Sequence, residues 1–176
     1  MSKHQIVFSG VGGQGLVSCG KIMGAAAIIA GKNITMTSSY GSEARGTFTK
    51  SDLIISDDPI AFPQVEDEQI VMSLAQVAYD RYVGKMKEGT FMVYDSDEVT
   101  AVDTCKAKQY GFPFTKMARD LGYAGAANLV ATGVIVKLTG VLSIESIEKA
   151  LADKYASKDK VLAVNLAAFR TGCDLV

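Results

Sequence analysis

Residues 10–15 read Gly-Val-Gly-Gly-Gln-Gly, directly after the short apolar run of residues 5–8 and directly before a long stretch rich in Ala, Ile and Met. Glycines at that spacing permit a tight strand-to-helix turn, and the unpaired N–H groups at the start of a helix attract phosphate or carboxylate. The candidates for holding such an anion are Gly12, Gly13, Gln14 and Gly15. A competing reading is that the glycines serve only close packing of helix on strand. The polar loop of residues 38–46, leaving the same edge of the sheet, adds Ser39, Tyr40, Glu43 and Arg45. An arginine there offers a bidentate contact to phosphate or carboxylate, Glu43 a pairing partner for it, and Tyr40 a flat face with a polar tip. The plain alternative for this loop is a well-tied surface turn.

Other chemistry is poorly served. His4 is the only histidine, so a Ser–His or Cys–His nucleophile would need a base from outside the chain, or a Lys or carboxylate in its place. We read His4 as a surface residue and expect no catalytic residue in this chain alone. Cys19, Cys105 and Cys173 lie far apart, with no C-x-x-C pair to ligate zinc or an iron–sulfur cluster, and read as three reduced thiols. Asp95 and Asp97 read as solvated strand-end carboxylates. Asn128, in Gly-Ala-Ala-Asn at a helix start, reads as a cap or as a ligand for an amide or phosphate. The second strand ends in Thr37-Ser-Ser-Tyr without the acidic residue that a nicotinamide dinucleotide site places at its tip, and Glu43 is the nearest carboxylate.

With 176 residues and 48% hydrophobic content, one domain spanning residues 1–176 is expected. The 18 Lys and Arg against 19 Asp and Glu give a net charge of -1, which supplies no field to gather nucleic acid or an anionic membrane. The N-terminal residues lack the apolar core of a signal peptide, and the apolar stretches 22–30 and 126–138 fall short of a membrane span, so a cytoplasmic protein is expected.

Strands are predicted at residues 5–8, 34–37, 47–56, 69–74 and 90–94, and helices at 16–30, 75–86, 114–121, 124–138, 143–155 and 160–172. Ser143 is placed to cap its helix. The first strand, helix and second strand form a βαβ unit with a parallel, right-handed crossover. The fold class is therefore α/β, a Rossmann-like three-layer domain with a mostly parallel sheet and a helical C-terminal part. No repeat, low-complexity tract or linker interrupts it.

Taken in order, residues 10–15, residues 39–46 (Ser-Tyr-Gly-Ser-Glu-Ala-Arg-Gly), residues 54–59 (Ile-Ile-Ser-Asp-Asp-Pro) and the small-residue helix around Asn128 resemble the gamma subunit of 2-oxoacid:ferredoxin oxidoreductases. The resemblance implies a complex that oxidatively decarboxylates a 2-oxoacid, forms acyl-coenzyme A and CO2, and reduces ferredoxin or flavodoxin. Thiamine diphosphate and the iron–sulfur clusters would then sit in partner alpha, beta and ferredoxin-like delta subunits, and this chain would be inactive alone. By the same resemblance Gly12, Gly13, Gln14 and Gly15 would contact coenzyme A phosphates, with Ser39, Tyr40, Glu43 and Arg45 lining the acceptor path. Ser42 stands where the family often has Pro, and Thr47 where a small residue is common. The Glu-Ala-Arg form of the loop is more similar to the 2-oxoglutarate enzymes than to the pyruvate enzymes. The alternatives are a self-contained nicotinamide-dependent oxidoreductase and a structural scaffold subunit whose glycine loop is empty.

Overall fold

The computed structural model describes residues 3–39 and 46–176. Six strands, β1 (Lys3–Val11), β2 (Asn33–Ser39), β3 (Phe48–Ser56), β4 (Ile70–Ser73), β5 (Phe91–Asp95) and β6 (Lys108–Phe112), form one sheet in the order β2-β3-β1-β4-β5-β6. The pairs β1–β4, β4–β5 and β5–β6 are parallel, and β3 is antiparallel to both β1 and β2. Five strands therefore run one way and β3 alone runs against them.

Alternate residues of the central strands feed two separate cores. Ile6, Phe8, Ile70, Met72 and Val93 face the helices α1 (Leu16–Ile29), α4 (Ala127–Thr139) and α6 (Asp159–Cys173). Val7, Val71 and Met92 face the opposite side, where Tyr79 and Tyr82 of α2 (Gln76–Tyr82) cover them. Because side chains on a strand alternate between faces, a strand apolar at every position must be covered on both sides, which produces the three layers. The helical part, completed by α3 (Phe114–Asp120) and α5 (Ile144–Lys154), centres on α4, whose residues 127–136 are all buried. Its closest neighbour is α6. A Cβ at Gly172 would run into the carbonyl oxygen of Val130, and one at Gly133 into that of Phe169, so these two glycines set the separation of the helix axes.

In the β1–α1–β2 unit β2 runs parallel to β1 as expected, and β3 folds back antiparallel to occupy the place between them. Three readings of the sequence need correction. Strand β6 was absent from the expected elements because Lys-Gln-Tyr-Gly-Phe is short, half polar and at the sheet edge. The helix expected over 124–138 begins as a separate 3-10 turn, Ala124–Ala126. Asp95 is fully buried rather than solvated, and accepts hydrogen bonds from the Asp97 N–H (3.1 Å), the Thr115 N–H (2.9 Å) and the Thr115 hydroxyl (2.6 Å), tying β5 to the start of α3. His4 is half-buried on β1, where burial first and the neighbouring Lys32 second hold its pKa below the usual imidazole range. Ser143 does cap α5, its hydroxyl accepting from the Ser146 N–H at 3.1 Å.

Loss of that cap in Ser143→Ala should cost about 1 kcal/mol of unfolding free energy. Gly172→Ala, which forces α4 and α6 apart, should cost about 2 kcal/mol or more. Urea denaturation monitored by circular dichroism reads both, and the second loss should exceed the first.

Candidate functional site

The glycine loop turns out of β1 at the edge where the parallel strands end. Gly13 (φ 95°) and Gly15 (φ 72°) both occupy the left-handed region that side chains resist, and Gly15 is the residue before the first turn of α1. It offers no side-chain oxygen to the helix, and the first turn carries no acidic residue. The first intrahelical donor is the N–H of Cys19, which bonds the Gly15 carbonyl at 3.0 Å. The N–H groups of Leu16, Val17 and Ser18 thus lack partners within the helix, and together with the helix dipole they are suited to an anion.

Two amide side chains hold this turn in shape. Gln14 folds back over Gly10: its Oε1 accepts from the Val11 N–H at 2.8 Å and its Nε2 donates to the Leu74 carbonyl at 2.9 Å. Both ends of the Gln14 side chain are therefore occupied within the protein, and this residue braces the loop against β1 and the end of β4. Asn128, buried in α4, donates from Nδ2 to the carbonyls of Gln14 (3.2 Å) and Gly15 (3.0 Å). It does not cap α4, whose flanking residue is Ala126 with no side-chain cap bond. Behind it the Thr132 hydroxyl donates to the Asn128 carbonyl at 2.7 Å and lies 2.7 Å from the Cys19 thiol. Burial pushes that thiol up to about 12.

Two lysines that sequence reasoning missed flank the turn. Lys50 reaches it from β3 and lines a hollow of about 340 Å³ with Val11, Gly12, Gly13, Val17 and Ser18, while pairing with Asp52 at 2.6 Å. Lys154, at the end of α5, donates to the Ser18 hydroxyl at 2.8 Å. Burial, and then Lys21, hold the Lys154 pKa below the ordinary lysine value, so its ammonium gains from a nearby anion. On the other flank, Gly13, Gly15, Ser18 and Asn128 line a second hollow of about 250 Å³ that reaches Tyr123, Tyr155 and Asn165. No local pattern marks Lys50 or Lys154, since each arrives from a distant segment. Ser39 sits at the exposed end of β2, opposite Lys50 in the strand register. Tyr40, Glu43 and Arg45 lie outside the described residues. Among the described residues no cluster of His, Cys, Asp and Glu suits a metal ion, and no helix is long and apolar enough to cross a membrane.

The fold and this site define an α/β domain in which the open start of a helix lies between two lysines, a geometry suited to an anionic group. The chain matches the model of the pyruvate ferredoxin/flavodoxin oxidoreductase family over residues 5–175, and it belongs to that family. It is similar to the 2-oxoglutarate synthase subunit KorC of Methanocaldococcus jannaschii, 38% identical over 98% of this chain and 94% of the relative. It is also similar to the gamma subunit of a keto/oxoacid ferredoxin oxidoreductase from Geobacter sulfurreducens, with a TM-score of 0.83 and 38% identity, covering 96% of this chain and 95% of that one. A third likeness is to the 2-oxoglutarate:ferredoxin oxidoreductase of Magnetococcus marinus, with a TM-score of 0.89 and 25% identity; 99% of this chain covers 31% of that longer one. The chain is a gamma-type subunit of a multisubunit oxidoreductase. Neither the self-contained nicotinamide enzyme nor the empty scaffold finds support in these likenesses.

The three cysteines differ in accessibility, Cys19 and Cys173 being buried and Cys105 only partly so. Burial raises the Cys173 thiol to about 11, so at pH 8 neither it nor Cys19 presents a thiolate. A disulfide-exchange reagent at pH 8 should therefore modify Cys105 alone in the native protein and all three thiols after denaturation, counted by mass spectrometry.

Proposed function

We propose that this chain is the gamma subunit of a 2-oxoglutarate:acceptor oxidoreductase, working in the cytoplasm, and that it binds the phosphates of coenzyme A on its glycine loop. The assembled enzyme would decarboxylate the 2-oxoacid, form the acyl-coenzyme A and CO2, and pass electrons to ferredoxin or flavodoxin. Thiamine diphosphate and iron–sulfur clusters are assigned to the alpha, beta and delta partners, and residues 1–176 act as one gamma-type unit. The observation that carries this reading is the uncapped start of α1 between Lys50 and Lys154. The KorC likeness favours 2-oxoglutarate, and the Magnetococcus enzyme is described with coenzyme A and succinyl-CoA bound.

In this role Gly12, Gly13 and Gly15 let the backbone approach the phosphate closely, the N–H groups of Leu16, Val17 and Ser18 donate to its oxygens, and the lysines neutralise its charge. Gln14 contributes through its backbone position, its side chain being engaged elsewhere. Ser39, Tyr40, Glu43 and Arg45 are assigned to the acceptor path, and Asn128 to holding the loop open.

Titration calorimetry of the complex, purified through an affinity tag on this chain, tests the assignment. Losing a charge-assisted contact in Lys154→Met or Lys50→Met should weaken coenzyme A binding about tenfold or more. Gly13→Val, which puts a branched side chain at φ 95°, should weaken it further. Unchanged affinity in all three variants would overturn the assignment.

The pH dependence has a definite sign. A bound phosphate stabilises the Lys154 ammonium, so affinity should be full below the depressed Lys154 pKa and fall as pH rises through it, on the alkaline side but below the ordinary 10.5. In Lys154→Met that fall should be reduced.

A further inference from the structure

The two free edges of the sheet are built differently. Strand β6 is short, begins with Lys108 and is interrupted by Gly111, features that blunt an edge against further pairing. Strand β2 is longer and reads Asn-Ile-Thr-Met-Thr-Ser-Ser, with no charge, proline or glycine. It pairs with β3 residue for residue from Asn33 to Ser39, so no bulge turns it away. About half of its N–H and C=O groups point away from β3. Among the described residues no backbone group pairs with that outer side. Such an edge is a template for another strand.

Helix α1 lies along the same edge. A Cβ at Gly20 would meet Met36 of β2 and Ser51 of β3, and one at Gly24 would meet Ile34 of β2, so the helix straddles the two strands closely. Gly20, Gly24 and Ile28 follow one another at every fourth position and form one row along the helix. Ile28, at the end of that row, is 68% exposed, and Ile34 and Met36 beneath it are only partly buried. Lys21, the one charge of α1, shares with Ser18 the face turned towards Lys154 of α5. The β2 edge is thus uncharged along the strand and apolar on the side of α1.

These features fit one occupant, a second copy of the same edge. Antiparallel self-pairing of a strand without charges sets no like charges opposite one another. It also brings the helices to packing distance. With α1 over the boundary of β2 and β3, and strands about 4.8 Å apart, a two-fold axis beside β2 places the two α1 axes about 10 Å apart. Helices pack at axis separations of about 8–10 Å, so the Gly24 and Ile28 rows of the two copies come together as the strands pair. A strand from a different subunit would satisfy the backbone groups but would bring no second α1 to cover Ile28. We propose that two copies of this chain join antiparallel through β2 into one continuous sheet, with α1 packed on its copy across the two-fold axis. This contact does not depend on what the glycine loop binds.

Sedimentation equilibrium of the chain, and native mass spectrometry of the complex purified through its tag, read the association. The chain should be a dimer at micromolar concentration. Thr37→Lys adds like charges near the axis and Ile28→Asp buries a charge between the helices, and each should weaken the dimer about tenfold or more. Both positions are exposed, and thermal melts confirm that the variants fold. Phe62→Ser, at an exposed apolar site elsewhere, should leave the dimer unchanged. In a Cys105→Ser background, one of Thr35→Cys, Met36→Cys and Thr37→Cys falls on the axis and should give a covalent homodimer on oxidation, in the chain and in the complex. A chain that is monomeric at every concentration and forms no such homodimer would overturn the proposal. So would a dimer that Thr37→Lys and Ile28→Asp both leave intact. A cross-link from these cysteines to a different subunit would assign the edge to that subunit and overturn it as well.

Discussion

The start of α1 is a helix terminus left without a cap, and much of the structure is arranged around keeping it so. A serine or aspartate at position 15 would turn its own oxygen onto the N–H groups that a ligand needs, and its Cβ would collide with the Asn128 amide. Glycine avoids both, but a glycine turn has little stiffness of its own. The stiffness comes from Gln14 and Asn128, which bind the carbonyls and N–H groups of the turn that face inward. Those bonds leave the outward donors without partners among the described residues, a state of the backbone that a protein interior would not tolerate and that water or an anion can satisfy.

The sheet topology delivers the charges. Five strands run in one direction, so the ends of β1, β4 and β5 meet at one edge, where open α/β sheets bind their ligands. The reversed strand β3 brings its beginning to that edge, with Thr49 opposite Gly10 and Lys50 opposite Ser9. An ordinary parallel strand in that place would have put its start at the far end of the sheet. On the other flank α5 ends beside α1, and Lys154 in its last turn reaches Ser18 in the first turn of α1. The cation at one helix end thereby joins the donors at the start of another. The α4–α6 contact at Gly133 and Gly172 fixes where Asn128 and Asn165 stand relative to the loop.

Much of this was legible in the sequence, because the signals were local. The glycine pattern between an apolar strand and an alanine-rich helix located the turn, and the helical C-terminal part followed from periodicity and from the Ser143 cap. What stayed hidden depended on contacts across long stretches of chain. Placing β3 between β1 and β2 is a choice of pairing that residues 47–56 do not encode by themselves. Lys50 and Lys154 look like any solvated lysines until the sheet and α5 bring them to Gly15. Asp95 carries a strand-end pattern common to solvated carboxylates, and only the position of Thr115 buries it. Asn128 was read as a cap of its own helix or a ligand for an amide or phosphate; it caps nothing, and the work of its NH2 group, on carbonyls more than a hundred residues away in sequence, appears only in three dimensions.

The central claim is that the unpaired N–H groups at the start of α1 receive the phosphate of coenzyme A. Hydrogen–deuterium exchange of the assembled complex, read by mass spectrometry over peptides spanning residues 12–19, measures those groups directly. Without ligand the amides of Leu16, Val17 and Ser18 should exchange quickly, since only water pairs with them, and saturating coenzyme A should slow them while leaving α2 and β6 unchanged. Exchange across residues 12–19 that is the same with and without coenzyme A, under conditions where calorimetry shows the complex saturated, would contradict the account.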